Sequence, residues 1–231
     1  MHSRPLPDPL MWHILELPFA LPLLKTYIAE IEAQVGRSIA EFRLGEGTTT
    51  VYVDEHEGEH GGYAVDEYKG IHSGFWNLQS VFEDYLPNLQ RRSALITLYS
   101  FLEHELDRLC DRIRIYEKSA LYLTDITDKG IARATTYLIK IGGLTGVRNS
   151  EHWQEITNIQ SIRNLIVHAG GRIPEVGNNR HAKLLAYIGK NPYLSVTQEV
   201  KIQPGYLAHC LETFTAFFGE IHAQLQRRYG V

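Results

Sequence analysis

Between residues 89 and 116, Leu95, Leu98, Leu102, Leu106, Leu109 and Ile113 recur at intervals of three and four, with charged residues between them. That spacing predicts a long amphipathic helix with one buried stripe. Leu24, Ile28, Ile31, Val35 and Ile39 predict another over 21–42, ended by Gly45 and Gly47, and Thr48–Val53 is rich enough in β-branched residues to predict a short strand. Asp54–Gly74 is polar, with five glycines and three histidines, and reads as a loop or boundary. A helical piece over 76–85 is expected to stop near Pro87, and a further helix is expected from Lys129 to Ile141, before Gly142-Gly143. Ser150 is a helix-start signal for a segment reaching His168 and ending at Gly170-Gly171. Ala182–Lys190 is ambiguous in its pattern, and Tyr193–Ile202 is open between a β-hairpin arm and a short strand. Pro204-Gly205 then opens a final amphipathic helix from Tyr206 to about Arg228. The pattern predicts a mainly α fold, a helical bundle with minor short β elements, divided into an acidic N-terminal region (1–74) and a helical domain (75–231).

Composition narrows this picture. The chain has 231 residues, 44% hydrophobic and 22% charged, which excludes a disordered or collagen-like protein. Its longest apolar stretch, Leu10–Leu24, is broken by Pro18 and Pro22 and carries Glu16, whereas a membrane-spanning helix needs about 20 mostly apolar residues. Arg4, the early prolines and Asp8 do not resemble a secretory signal, so the expected location is the cytoplasm. Cys110 and Cys210 lie in helical patterns without CxxC spacing and are expected to be buried thiols. Net charge is −4, unevenly spread: residues 1–90 hold 5 basic and 14 acidic side chains, and residues 91–231 hold 18 and 13. An anion would therefore be bound by the second part.

The segment richest in chemistry is Ile159-Gln160-Ser161-Ile162-Arg163-Asn164-Leu165-Ile166-Val167-His168-Ala169-Gly170-Gly171. At 100° per residue, Ile159, Ile162, Leu165, Ile166 and Ala169 share a core-facing side. Asn164 and His168 form an i,i+4 pair on the opposite face, with Arg163 at its edge. Something must cover that face for the three groups to converge on one ligand, and a second copy of the same helix would do so. An imidazole can exchange protons near neutral pH, a guanidinium grips phosphate oxygens in a fork, and an amide orients a neighbour without titrating. Together they suit metal-independent RNA cleavage. The ribose 2′-hydroxyl would attack the adjacent phosphorus, leaving a 2′,3′-cyclic phosphate and a 5′-hydroxyl.

Arg163-Asn164-Leu165-Ile166-Val167-His168 resembles the R-x4-6-H signature of the HEPN superfamily in its R-N-x3-H form. Leu98–Leu106 is similar to the acid-bearing helix beside that signature in bacterial members. The short extended piece before Pro204-Gly205 and the aromatic-rich helix after it are similar to their C-terminal ending. The resemblance covers roughly residues 75–228. It implies a helical bundle that dimerises through the motif helix, and a cytoplasmic endoribonuclease acting as a toxin or antiphage defence effector. RNA would be the substrate, an antitoxin or defence-system protein the partner, and neither cofactor nor metal would be required. By the same resemblance Arg163 binds the scissile phosphate, Asn164 orients the site and His168 transfers a proton. Glu103 takes the acidic position, with Glu105 as the alternative. Members controlled by nucleotidyltransferase antitoxins commonly carry a Tyr two residues after the motif His, where this chain has Gly170. The alternative from another class is a non-catalytic HEPN module that binds RNA, a nucleotide or a partner protein.

Plainer readings compete at each position. His168 can cap the end of its helix while Arg163 pairs with Glu151 or Glu155. Arg91, Arg92, Arg108, Arg112, Arg114 and Lys118 can line an RNA path, or form an ordinary charged face with the acids between them. Trp76, Trp153 and Tyr206 can stack on bases or pack internally. His56-Glu57-Gly58-Glu59-His60 matches H-E-x-x-H, but its central Gly and the following Gly61-Gly62 suit a loop better than the stable helix a zinc site requires.

Overall fold

The computed structural model describes residues 8–53, 63–173 and 179–230. The fold is mainly α with a few short strands, as the periodicity predicts. It divides into two compact units, Ala29–Arg91, and Met1–Ile28 together with Arg92–Val231. These limits differ from the division at 74/75 suggested by composition. His56–His60 lies outside the described residues.

Helix α1 spans Leu17–Arg43, and a short helical turn, Pro9–Met11, precedes it. The Asp8 carboxylate caps that turn by accepting the Leu10 N–H at 2.8 Å. Between them Trp12–Glu16 forms a wide π-type turn, closed by the Leu17 N–H on the Trp12 carbonyl. A second such turn, Ser80–Tyr85, is closed by the Leu86 N–H on Val81 O. Each ends two residues before a proline, Pro18 or Pro87. A proline ring crowds the carbonyl four residues back and offers no N–H, and a widened turn moves that carbonyl aside. The expected stop near Pro87 is therefore replaced by continuous helix, and α2 runs Leu86–Tyr116. Trp76 stands outside the helix and is exposed.

In the Ala29–Arg91 unit, β1 (Thr48–Val53) pairs antiparallel with β2 (Tyr63–Tyr68) in the register Val51↔Val65. Strand β2 turns through Lys69-Gly70, both at positive φ, into β3 (Ile71–His72). Part of the expected loop at 54–74 is thus sheet. Its turn uses a Lys where Asn or Asp would signal a tight hairpin. Phe42, Tyr68 and Phe82 meet with ring centroids 4.7–5.3 Å apart and form the unit's aromatic core.

The other unit holds helices α3 (Gly130–Lys140), α4 (Glu151–Ala169), α5 (Asn179–Lys190) and α6 (Tyr206–Tyr229), with a hairpin of β4 (Leu194–Val196) and β5 (Val200–Ile202) before α6. The open segment at 182–190 is helix, and 193–202 is the hairpin. All six apolar residues of the α2 stripe are fully buried, as are Ile156, Ile159 and Ile162 of α4 and Phe214, Phe217 and Phe218 of α6. Trp12 packs edge-on against Phe218 at 5.3 Å, and its indole N–H donates to Glu105 Oε2 at 3.0 Å. Both cysteines are buried free thiols, and burial pushes both pKa values upward. No helix among the described residues is long and apolar enough to cross a membrane.

Candidate functional site

Helix α4 carries the Arg-Asn-x3-His segment, and both of its ends are fixed. Ser150 Oγ accepts the Trp153 N–H at 3.0 Å, which caps the start. The chain leaves the helix through Gly170 and Gly171, at φ +60° and +84°. The Gly171 N–H returns to the Leu165 carbonyl at 3.0 Å, and Gly171 O accepts the Val200 N–H at 2.8 Å. Arg92, buried in α2, clasps the junction. It donates to Gly170 O at 3.1 Å and Val200 O at 2.6 Å, and pairs with Glu199 at 3.3 Å. A Cβ on Gly171 would stand 2.5 Å from the Arg92 guanidinium, so this position needs glycine for space as well as for conformation.

Ile159, Ile162, Leu165 and Ile166 face the core as the helical spacing predicts, joined by Ile156, and α4 packs against α6. Ala169, expected on that side, instead faces a cleft of about 580 Å³ between α4 and α5. Asn164 and His168 line the same cleft, and His168 is exposed. The cover that the sequence assigns to a second copy is provided in part by α5 of the same chain, through His181, Lys183 and Leu184. None of the described residues lining the cleft is acidic.

Arg163 lies beside the cleft rather than in it. Its Nη1 donates to Asn164 Oδ1 at 3.0 Å, its Nη2 stands 3.8 Å from Glu103 Oε2, and its guanidinium lies 5.4 Å from the Tyr99 ring centroid. A guanidinium can only donate, so the carbonyl end of the Asn164 amide must face Arg163. The NH2 end is turned elsewhere. Arg163 Nε and the Tyr99 hydroxyl are buried without a hydrogen bond among the described residues, as are single atoms of several other side chains, Arg92 Nε and Arg133 Nε among them.

Glu103 is thus the acid the structure brings to Arg163. Glu105 faces elsewhere, held by Trp12 and by Arg108 at 3.1 Å. The plainer pairing of Arg163 with Glu151 or Glu155 is not formed. Glu155 accepts from Tyr187 at 2.5 Å, pairs with His209 at 2.8 Å and accepts from Asn158 at 3.3 Å. Burial would raise the Glu155 pKa, but the hydrogen bonds from His209, Tyr187 and Asn158 outweigh it and hold the carboxyl below its usual range. Sequence reasoning missed this network because its members come from α4, α5 and α6. It also missed Tyr99, whose position one turn before Glu103 on α2 was the available signal.

Burial dominates at Glu103 and raises its pKa, against the opposing pull of Arg163. A carboxyl raised on folding binds its proton more tightly in the native state, so its contribution to stability grows as pH falls from neutral. Glu103→Gln is therefore expected to melt at pH 7 within about 2 °C of the wild type or above it, with the difference shrinking toward pH 4. Thermal melts across that range check this. A large loss at pH 7 would mean that the ion pair outweighs the cost of burying the charge.

The arginines considered for an RNA path are largely committed within the chain. Arg91 pairs with Glu32 at 2.7 Å, Arg108 with Glu16 at 2.6 Å, Arg112 with Glu16, and Arg114 with Asp111 at 2.9 Å. Trp153, half-buried, packs tilted against Phe217 with ring centroids 5.9 Å apart, and Tyr206 is fully buried, so both have partners within the chain. Among the described residues, no three His, Cys, Asp or Glu side chains gather as a metal site. Compared with known proteins, the chain matches no family model, no curated protein and no solved structure.

Proposed function

We propose that the protein is a metal-independent endoribonuclease of HEPN type, acting as a toxin or antiphage defence effector. The observation that carries this reading is the cleft itself. The i,i+4 pair Asn164 and His168 opens into a space of about 580 Å³ with no acidic lining among the described residues, while Arg163, itself facing Glu103, holds Asn164. Pockets of 300–1,000 Å³ suit small ligands, so one nucleotide unit is of suitable size. His168 acts in proton transfer and Asn164 donates to a phosphate or ribose oxygen. Arg163 orients Asn164 and adds positive charge beside the reacting phosphate. The resemblance adds a homodimer through α4 as the working assembly.

The test is incubation of purified protein with single-stranded RNA in EDTA. The expected result is endonucleolytic cleavage leaving 2′,3′-cyclic phosphate ends, while DNA and 2′-O-methyl RNA of the same sequence stay intact. Cleavage of the 2′-O-methyl strand would overturn the mechanism, because that strand lacks the attacking hydroxyl.

A second reading, a non-catalytic module that binds RNA, a nucleotide or a partner protein, is favoured by one observation. Arg163 is taken up by Asn164, Glu103 and Tyr99 instead of reaching into the cleft. Tight RNA binding without cleavage, with or without divalent metal, would select it.

A further inference from the structure

Helix α5 places two further groups on the cleft that the motif does not include. His181 and Lys183 face Asn164, Ser161 and His168 across the same space. Lys183 is exposed and His181 is half-buried. This wall belongs to the part of the chain, residues 91–231, that holds 18 basic and 13 acidic side chains. Its described lining combines one lysine, two imidazoles and several amide and hydroxyl side chains, and no carboxylate. Glu155 of the same helix as Asn164 does not line the cleft and is occupied by Tyr187, His209 and Asn158. The Asn164 amide is oriented by Arg163, with its acceptor end turned toward the guanidinium. Such a lining attracts an anion, and a phosphate with oxygens to share among several donors fits it best.

We propose that the α4–α5 cleft is a phosphate-binding and proton-transfer site in which Lys183 holds a non-bridging phosphate oxygen of RNA and His181 is the second proton-transfer residue, opposite His168. The proposal rests on the ribonuclease reading and extends it to residues outside the motif. Cleavage needs two proton transfers. The 2′-O–H bond breaks and its proton passes to one imidazole, while the 2′-oxygen forms its bond to phosphorus. The P–O5′ bond then breaks, and the departing oxygen takes a proton from the other imidazole in its protonated form. The products are the cyclic phosphate and a 5′-hydroxyl, and the two histidines end with the proton exchanged between them. No metal, oxidant or further reactant enters the balance. A single histidine would have to perform both transfers in turn, and a cleft with two removes that need.

The experiment combines kinetics with a binding measurement that does not depend on turnover. RNA cleavage is followed from pH 5 to 9 for the wild type, His181→Ala, His181→Gln, Lys183→Ala and Lys183→Arg, with thermal melts confirming that each variant is folded. In parallel, imidazole resonances are followed by NMR as uridine 3′-monophosphate, or inorganic phosphate, is added. The expected result is a bell-shaped profile for the wild type that loses one limb in both His181 variants, together with a loss of 100-fold or more in kcat. Lys183→Ala is expected to raise KM about 10-fold with a smaller change in kcat, and Lys183→Arg to restore most of it. The His168 and His181 resonances should both move with the nucleotide, and Lys183→Ala should weaken that titration about 10-fold. If RNA is cleaved but the His181 and Lys183 variants match the wild type and the His181 resonance stays still, the proposal is overturned and the ribonuclease reading stands. If the wild type cleaves no RNA, the ribonuclease reading and the proton-transfer role of His181 both fall. The titration then decides the phosphate subsite, since movement of both rings supports it and still resonances overturn it.

Discussion

His168→Ala is expected to lower RNA cleavage by about 10²- to 10⁴-fold, the range for losing a general acid or base, with the melting temperature held within about 2 °C of the wild type. The two halves of this expectation have different structural origins. Activity should collapse because the imidazole opens onto the cleft beside Asn164, where a nucleotide would lie. Stability should hold because the side chain is exposed and the helix end does not depend on it. Glycines in the left-handed region, the return bond to Leu165 and the Arg92 clasp close that end instead. A histidine in the last turn interacts favourably with the helix dipole, typically by a few tenths of a kcal/mol at an exposed site. Cleavage and melting should be measured on the same preparation. A variant that cuts normally yet melts several degrees lower would assign His168 to capping and remove it from the chemistry.

Arg92→Ala should be the most damaging of the stability variants, at about 3 kcal/mol. For a chain of this length that corresponds to a fall of about 6–12 °C in melting temperature. Arg92 is 7% exposed, and its fork joins three acceptors, Gly170 O, Val200 O and Glu199. Alanine would leave the two carbonyls without this donor and the acid without its partner. Lysine should rescue little, because one ammonium cannot reproduce the planar fork. Cleavage should fall as well, since the clasp lies two residues beyond His168. The deciding measurement is denaturant unfolding of Arg92→Ala and Arg92→Lys beside the wild type. Wild-type stability in the alanine variant would show that β5 and the glycines hold the end of α4 without help.

Periodicity in the sequence located most of the helices because their buried faces are regular. The α2 stripe is the clearest case, with every residue from Leu95 to Ile113 on it fully buried. Ser150 and Gly170 marked the ends of α4 for local reasons, one as a side-chain cap and the other as a left-handed residue. Pro87 misled because a proline in a helix reads as a stop unless the preceding turn widens, and widening depends on packing rather than on residue type. Strand β2 was hidden by its short alternation and by Lys69 in the turn.

At the site, the pairing of Asn164 with His168 followed from helical spacing alone. The position of Arg163 did not. It is drawn aside by Tyr99 and Glu103, which lie some sixty residues earlier and meet it only through tertiary packing. The second wall of the cleft was invisible for a similar reason. Nothing in the local pattern around His181 and Lys183 says which helix they will face.

The internal commitment of the arginines changes how this molecule would meet a polyanion. Arg91, Arg92, Arg108, Arg112 and Arg114 are each paired with a carboxylate of their own chain, Arg108 and Arg112 with the same Glu16, so a nucleic acid strand would have to compete with those acids for their charge. Those five would then add less to counter-ion release, and so to the ionic-strength dependence of such an encounter, than unpaired cations would. At these five positions discrimination would come from short-range fit more than from the charge a strand carries.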